Sequence, residues 1–191
     1  MLDSLKNVQI TNSNNYAQSF LHTLSNFCSK CPLQPKINYV EDMGRVYVTW
    51  GEGKSFDFVI DPMNDKKDVI KELKTLLQKD YPILYEKKIT TLPAEEIEKL
   101  VDNGVSLSDA LGRTVTEYIP KYRVVRVHHQ YNELDLFDLT SRMMYKFHSK
   151  LPVTAILEDI KYNPKDNEEV FNSLTLLYRM DKKEGNGTEN F

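Results

Sequence analysis

Between Lys36 and Asp61 apolar and polar residues alternate with period two, and glycines punctuate the alternation. The run reads Lys36-Ile-Asn-Tyr-Val-Glu-Asp-Met-Gly-Arg-Val-Tyr-Val-Thr-Trp50, then Gly51-Glu-Gly53, then Lys54-Ser-Phe-Asp-Phe-Val-Ile-Asp61. Period two sends successive side chains to opposite faces of a strand, and Gly44, Gly51 and Gly53 mark the turns. The pattern therefore predicts a three-stranded antiparallel meander. In its second strand Val46, Val48 and Trp50 share one face, while Tyr47 and Thr49 share the other. Helical patterns on either side of the meander make the fold class α+β.

On the N-terminal side Tyr16, Ala17, Phe20, Leu21, Leu24, Phe27 and Cys28 recur at helical spacing. Ser13 or Asn14 can cap that helix, and Cys31-Pro32 ends it. On the C-terminal side Asn64 or Asp65 opens a helix carrying Val69, Ile70, Leu73, Leu76 and Leu77. The two helices, Ser13–Cys31 and Asp65–Lys79, each carry one apolar stripe that a face of the meander would cover. Ile83-Leu84-Tyr85 reads as a short strand and Glu86–Thr91 as a connector. The chain is accordingly divided into 1–88, 89–183 and a frayed tail, 184–191.

In the second part, Leu92–Val101 reads as a helix with proline and carboxylates in its first turn, capped at Asp102-Asn-Gly104. Ser106 caps a further helix from Leu107 to Ile119, stopped by Pro120. Arg123–Val127 reads as a strand, and Leu136, Phe137, Met143, Met144 and Phe147 as the face of a helix. Pro152–Ile160 reads as a strand, Asn163–Asp166 as a turn, and Val170, Phe171, Leu174, Leu177 and Met180 as the last helix.

A formal net charge of −3 and a pI of about 5.8 provide no global basic field for nucleic acid. No run reaches the roughly 18–20 apolar residues that span a bilayer. The start, Met1-Leu-Asp-Ser-Leu-Lys, lacks the basic and apolar regions of a secretory signal. A cytoplasmic protein with no membrane contact and no disulfide framework is expected, and no cofactor.

Cys28-Ser-Lys-Cys31 is a lone C-x-x-C. A zinc site needs two more soft ligands, and a redox pair needs a helix N-terminus, whereas this pair sits at a helix C-terminus. Both cysteines read as core packing. Gly51-Glu-Gly53 lacks the rest of a phosphate loop and reads as a hairpin turn. The stretch His128-His-Gln-Tyr-Asn-Glu133-Leu-Asp135-Leu-Phe-Asp138 is the densest set of ligand-type side chains, but its spacing fits no metal motif, so no metal is expected. On a continuing strand His128 and His129 point to opposite faces, as do Arg123 and Arg126. The segment 94–119 has the outline of a helix-turn-helix. Its second helix offers Arg113 as its only cation, and Glu95, Glu96 and Glu98 on the first helix oppose phosphate. An αα-hairpin packed on the sheet is the preferred reading.

The stretch Leu92-Pro93-Ala-Glu-Glu-Ile-Glu-Lys-Leu-Val-Asp-Asn-Gly-Val-Ser-Leu-Ser-Asp-Ala-Leu111 resembles a pattern in small accessory proteins of phages that infect low-GC Gram-positive bacteria. These show Leu-Pro-x-Glu-x-x-x-x-Leu, a few residues, then Gly-x-Ser-Leu-x-x-Ala-Leu. The resemblance covers about twenty residues and carries no functional residue with it. It implies a bacterial or phage cytoplasmic setting and a regulatory role. The expected function is a non-enzymatic accessory protein acting by protein–protein contact, as an inhibitor or modulator of a host complex. Glu95, Glu96, Glu98 and Asp102 form the candidate acidic patch. The second reading is a nucleic-acid-binding regulator using 94–119 with Arg113 and the basic residues Lys121, Arg123 and Arg126. The third is a small metal-dependent hydrolase around His128–Asp138. The sequence specifies neither partner identity nor oligomeric state.

Overall fold

The alternating stretch forms the expected meander. In a computed structural model that describes residues 2–180, and side chains from Asn15 onward, β1 (Lys36–Val40), β2 (Arg45–Thr49) and β3 (Ser55–Val59) make one antiparallel sheet in that order. Val46 faces Tyr39 and Phe58, and Val48 faces Ile37 and Phe56. Gly51 and Gly53 take φ of +66° and +67° at the β2–β3 turn, a conformation that side chains with a Cβ rarely adopt. α1 (Leu2–Lys30) and α2 (Lys66–Gln78) lay their apolar stripes on this sheet. Phe20, Leu24, Leu73 and Leu77 are buried in one cluster with Val46, Val48 and Phe58. Asp65 caps α2 by accepting from the Lys67 N–H, as its residue type predicts. α1 starts well before Ser13 and Asn14, which lie inside it rather than capping it; no proline or glycine between Leu2 and Asn15 interrupts it. Trp50 closes the cluster, and its indole N–H donates to Asp80 Oδ2 at 3.1 Å.

The second part of the chain differs from its sequence reading. β4 (Ile83–Thr91), β5 (Thr114–His128), β6 (Glu133–Asp138), β7 (Met144–Ser149) and β8 (Leu174–Arg179) form a five-stranded antiparallel sheet in sequence order. The residues 86–91 taken as a connector are strand, so the 88/89 division falls inside β4. The helix expected over Leu107–Ile119 ends early: α4 covers Leu107–Gly112, and Thr114 begins β5. Thr114, Val115, Thr116, Tyr118 and Ile119 are β-branched or aromatic and pair with β4. The helix expected over Leu136–Phe147 is the β6–β7 hairpin. The strand expected over Pro152–Ile160 is α5 (Val153–Tyr162), whose Val153, Ile156 and Ile160 are buried at helical spacing. The last helix is shorter than expected, α6 (Glu168–Ser173), and Leu174 onward is β8. The tail 184–191 lies outside the described residues.

The five-stranded sheet is covered on both sides. Val124, Val127, Leu134 and Leu136 pack with Ile156 and Val170 in a second core. Val125 and Phe137 join the core built by α1, α2 and the meander, so the two sheets share packing across the 88/89 line. Pairing of β5 with β6 stops at Tyr122–Asp138, yet β5 stays paired with β4 out to Thr91–Thr114. Beyond Tyr122 the two strands therefore leave the sheet as a two-stranded ribbon. Pro120, which has no N–H to give a third strand, sits just past that departure. α3 (Ala94–Asp102) and α4 pack together at the ribbon's far end.

Candidate contact arm and charged cluster

The ribbon and its two helices form an arm, residues 86–119, in which only Ala110 is buried. It is anchored at the base. Asn167, fully buried at the start of α6, accepts from the Tyr85 N–H at 3.0 Å and donates to the Asn163 carbonyl at 2.8 Å. Lys87 pairs with Glu168 at 3.5 Å. Beyond that base the arm carries large apolar side chains in solvent: Ile89, Val101, Leu107, Leu111, Tyr118 and Ile119. Leu107 and Leu111 are 58% and 53% exposed and lie four residues apart, on one side of α4. A strand pair or short helix usually buries such residues; here they point into solvent together, which is the usual mark of a surface that meets another molecule.

α3 is two-sided. Ile97 and Leu100 are its half-buried residues. At about 100° per residue, Glu95, Glu98 and Asp102 fall within roughly 60° of arc on the opposite side, and all three are exposed. Glu96 is separated from them. It lines a shallow groove with Lys99, Leu100 and Arg113.

The basic candidates do not join this surface. Arg113, at the arm's tip, lies ten residues along from Arg123, about 33 Å at ~3.3 Å per strand residue. Arg123 and Arg126, expected on opposite faces, share one. The register passes from Val124–Leu136 to Arg126–Asp135, leaving Val125 as an extra residue, and a bulge of this kind shifts the alternation by one. Arg123 donates to the Gln78 carbonyl at the end of α2, and Arg126 is engaged in the cluster described next.

His128–Asp138, the richest stretch in ligand-type residues, forms a charge network around Asp135, which is 1% exposed. Arg126 Nε lies 2.8 Å and His128 Nε2 3.0 Å from Asp135 Oδ2. Lys146, directly opposite on β7, lies 3.7 Å from Oδ1 and sits over the Tyr178 ring of β8. Burial alone would raise the Asp135 pKa. The hydrogen bonds from His128 and Arg126, with their charges, outweigh it and hold the carboxyl below the usual carboxylate range. The network thus ties β5, β6, β7 and β8 in register. His129 lies beyond the end of β5, and among the described residues no group of three or more His, Cys, Asp or Glu is placed to hold a metal ion.

Cys28 and Cys31 are buried in the first core. Burial, and then the neighbouring Cys31, push the Cys28 thiol up to about 12. Burial pushes Cys31 up to about 11 against the hydrogen bonds around it. Thiols of this kind are poor nucleophiles and poor redox partners at neutral pH.

Sequence reasoning missed the arm because it read Glu86–Thr91, the outer part of β4, as a connector and the start of β5 as helix. The signal was present as Ile83–Thr91 and Thr114–Tyr122, two runs rich in β-branched and aromatic residues. Comparisons with known proteins return no family model, no curated protein and no solved structure that matches the chain. Among the described residues no helix is long and apolar enough to cross a membrane.

Proposed function

We propose that the protein is a non-enzymatic accessory protein that acts by protein–protein contact, with the arm 86–119 as its contact element. The observation that supports this reading is the exposed apolar set on an element that adds only Ala110 to the buried residues. On the sheet, Arg126, His128 and Lys146 are held in the network around Asp135. The segment Leu92–Leu111, which resembles phage accessory proteins, is the tip of this arm. The reading therefore extends to a phage-encoded modulator of a host complex, working in the bacterial cytoplasm. Nucleic-acid recognition by 94–119 has less support, because the second helix is six residues long and Arg113 follows it as the first residue after the helix.

The test is affinity purification of the tagged chain from the cells that make it, beside the double variant Leu107→Asp/Leu111→Asp. Both side chains are more than half exposed, so the unfolding midpoint should stay within experimental error. Proteins that co-purify with the wild type should be lost from the variant. Co-purification that is the same for both chains would contradict the reading.

A further inference from the structure

α2 carries a stripe that mirrors the acidic face of α3. Lys67, Lys71 and Lys74 line one side of an open groove of about 650 Å³ between α1 and α2. Lys66 joins them and donates to Ser19 Oγ on α1 at 2.9 Å. Ile70, Thr23 and Gln78 complete most of the lining, and among the described residues no carboxylate lines the groove. Asp68 and Glu72, the acidic residues of α2, fall about 60° and 100° round the helix from Lys71, beyond Thr75 at the edge of the lining. Arg126 reaches the adjoining end of the groove, beside Lys74 and Lys30. Burial, and then the charge of Arg126, lower the Lys74 pKa. Positive charge is thus concentrated along the groove.

We propose that the outward face of α3 docks antiparallel on this lysine stripe in a second copy of the chain. This rests on the reading of the arm as a contact element, and it names the partner. The spacings agree: Glu95, Glu98 and Asp102 are separated by three and four residues, and Lys74, Lys71 and Lys67 by three and four in the reverse direction. Each triad spans about 10.5 Å at 1.5 Å per residue. Antiparallel docking therefore places Glu95 against Lys74, Glu98 against Lys71 and Asp102 against Lys67. Val101, exposed beside the acidic stripe, meets Ile70 in the groove. An arm that leaves the body of its own chain can reach the groove of another. Reciprocal exchange between two copies closes the assembly, whereas one-way exchange would propagate it. Exposed ion pairs are individually weak and screened by salt, so the association is concentration-dependent and salt-sensitive.

Sedimentation velocity on the full chain tests this, over a concentration series from about 1 μM to 1 mM at about 50 mM and 500 mM salt. The groove variant Lys67→Glu/Lys71→Glu and the arm variant Glu98→Lys/Asp102→Lys should each weaken self-association at least about tenfold. A one-to-one mixture of the two, and the chain carrying all four changes, should recover it. The four-change chain also serves as the folding control. A wild type that stays monomeric throughout would overturn the proposal. So would association indifferent to both variants, or one that the charge swap does not restore. If self-association fails these criteria while Leu107→Asp/Leu111→Asp still loses its co-purifying proteins, the arm remains a contact element and only its partner is wrongly named.

Discussion

Excising the tip of the arm should leave the body of the protein nearly as stable as before. The perturbation replaces Thr90–Val115 by Asn-Gly, so that Ile89 and Thr116, already opposite one another, close on a tight hairpin turn. Ala110 is the one buried residue removed. Its methyl group corresponds to about 0.8 kcal/mol of burial. The half-buried Leu92, Ile97, Leu100, Val105 and Val115 lie within the excised tip. No buried member of either core cluster is removed. The free energy of unfolding should therefore change by no more than about 1 kcal/mol. The urea m-value should fall by less than about an eighth, the net share of the chain removed, because the tip buries little surface. Urea denaturation followed by Trp50 fluorescence reads both quantities. A loss above about 3 kcal/mol, the scale of emptying a buried leucine site, would show that the tip is part of the core and refute the view of it as a contact element.

Trp50→Ala should destabilise by about 3–5 kcal/mol, since it opens a cavity in the first core and strips Asp80 of its indole donor; a midpoint within 0.5 kcal/mol of wild type, roughly the scatter of surface substitutions, would contradict its structural role. Asp135→Asn should cost about 3 kcal/mol, the low end for breaking a buried ion pair, because Arg126 and His128 are partly exposed and regain water. The Asp135 pKa is depressed in the folded state, so its contribution is present above about pH 4, the unfolded carboxylate value, and is lost as pH falls through the lower folded value. The acid limb of a stability–pH profile should be flatter in Asp135→Asn, and an unchanged limb would argue against the network. Thiol labelling of the native protein at pH 8 should run at least roughly a hundredfold slower at Cys31 and a thousandfold slower at Cys28 than in the unfolded chain; equal rates would show that the pair is open to solvent.

The meander and its two helices were legible because one face of each is buried and the other is wet, so period two and period 3.6 appear directly in the sequence. The second sheet was misread for three physical reasons. β6 is buried on both faces from Leu134 to Asp138, so adjacent Leu136 and Phe137 break the alternation that Glu133–Leu136 begins. Bulges at Leu84/Tyr85, Val124/Arg126 and Lys146/Phe147 shift the alternation within a strand. The β6–β7 hairpin brings Leu136, Phe137, Met143, Met144 and Phe147 to intervals that imitate a helix. Of the site, the acidic residues of α3 were found from composition. The lysine stripe of α2 is written in the sequence as Lys67, Lys71 and Lys74, but the groove beside it forms only where α1 packs against α2. The Asp135 network depends on pairings across three strands, which spacing along the chain does not show.

The role of the arm as a contact element turns on whether it meets a protein. A photo-crosslinking amino acid placed at Leu111, on the arm, and separately at Tyr162, exposed at the end of α5 on the side of the five-stranded sheet away from α1 and α2, measures this in the producing cells. Discrete adducts are expected from position 111, to a second copy or to another protein, and none from position 162. No adduct from 111, or the same adducts from both positions, would contradict it.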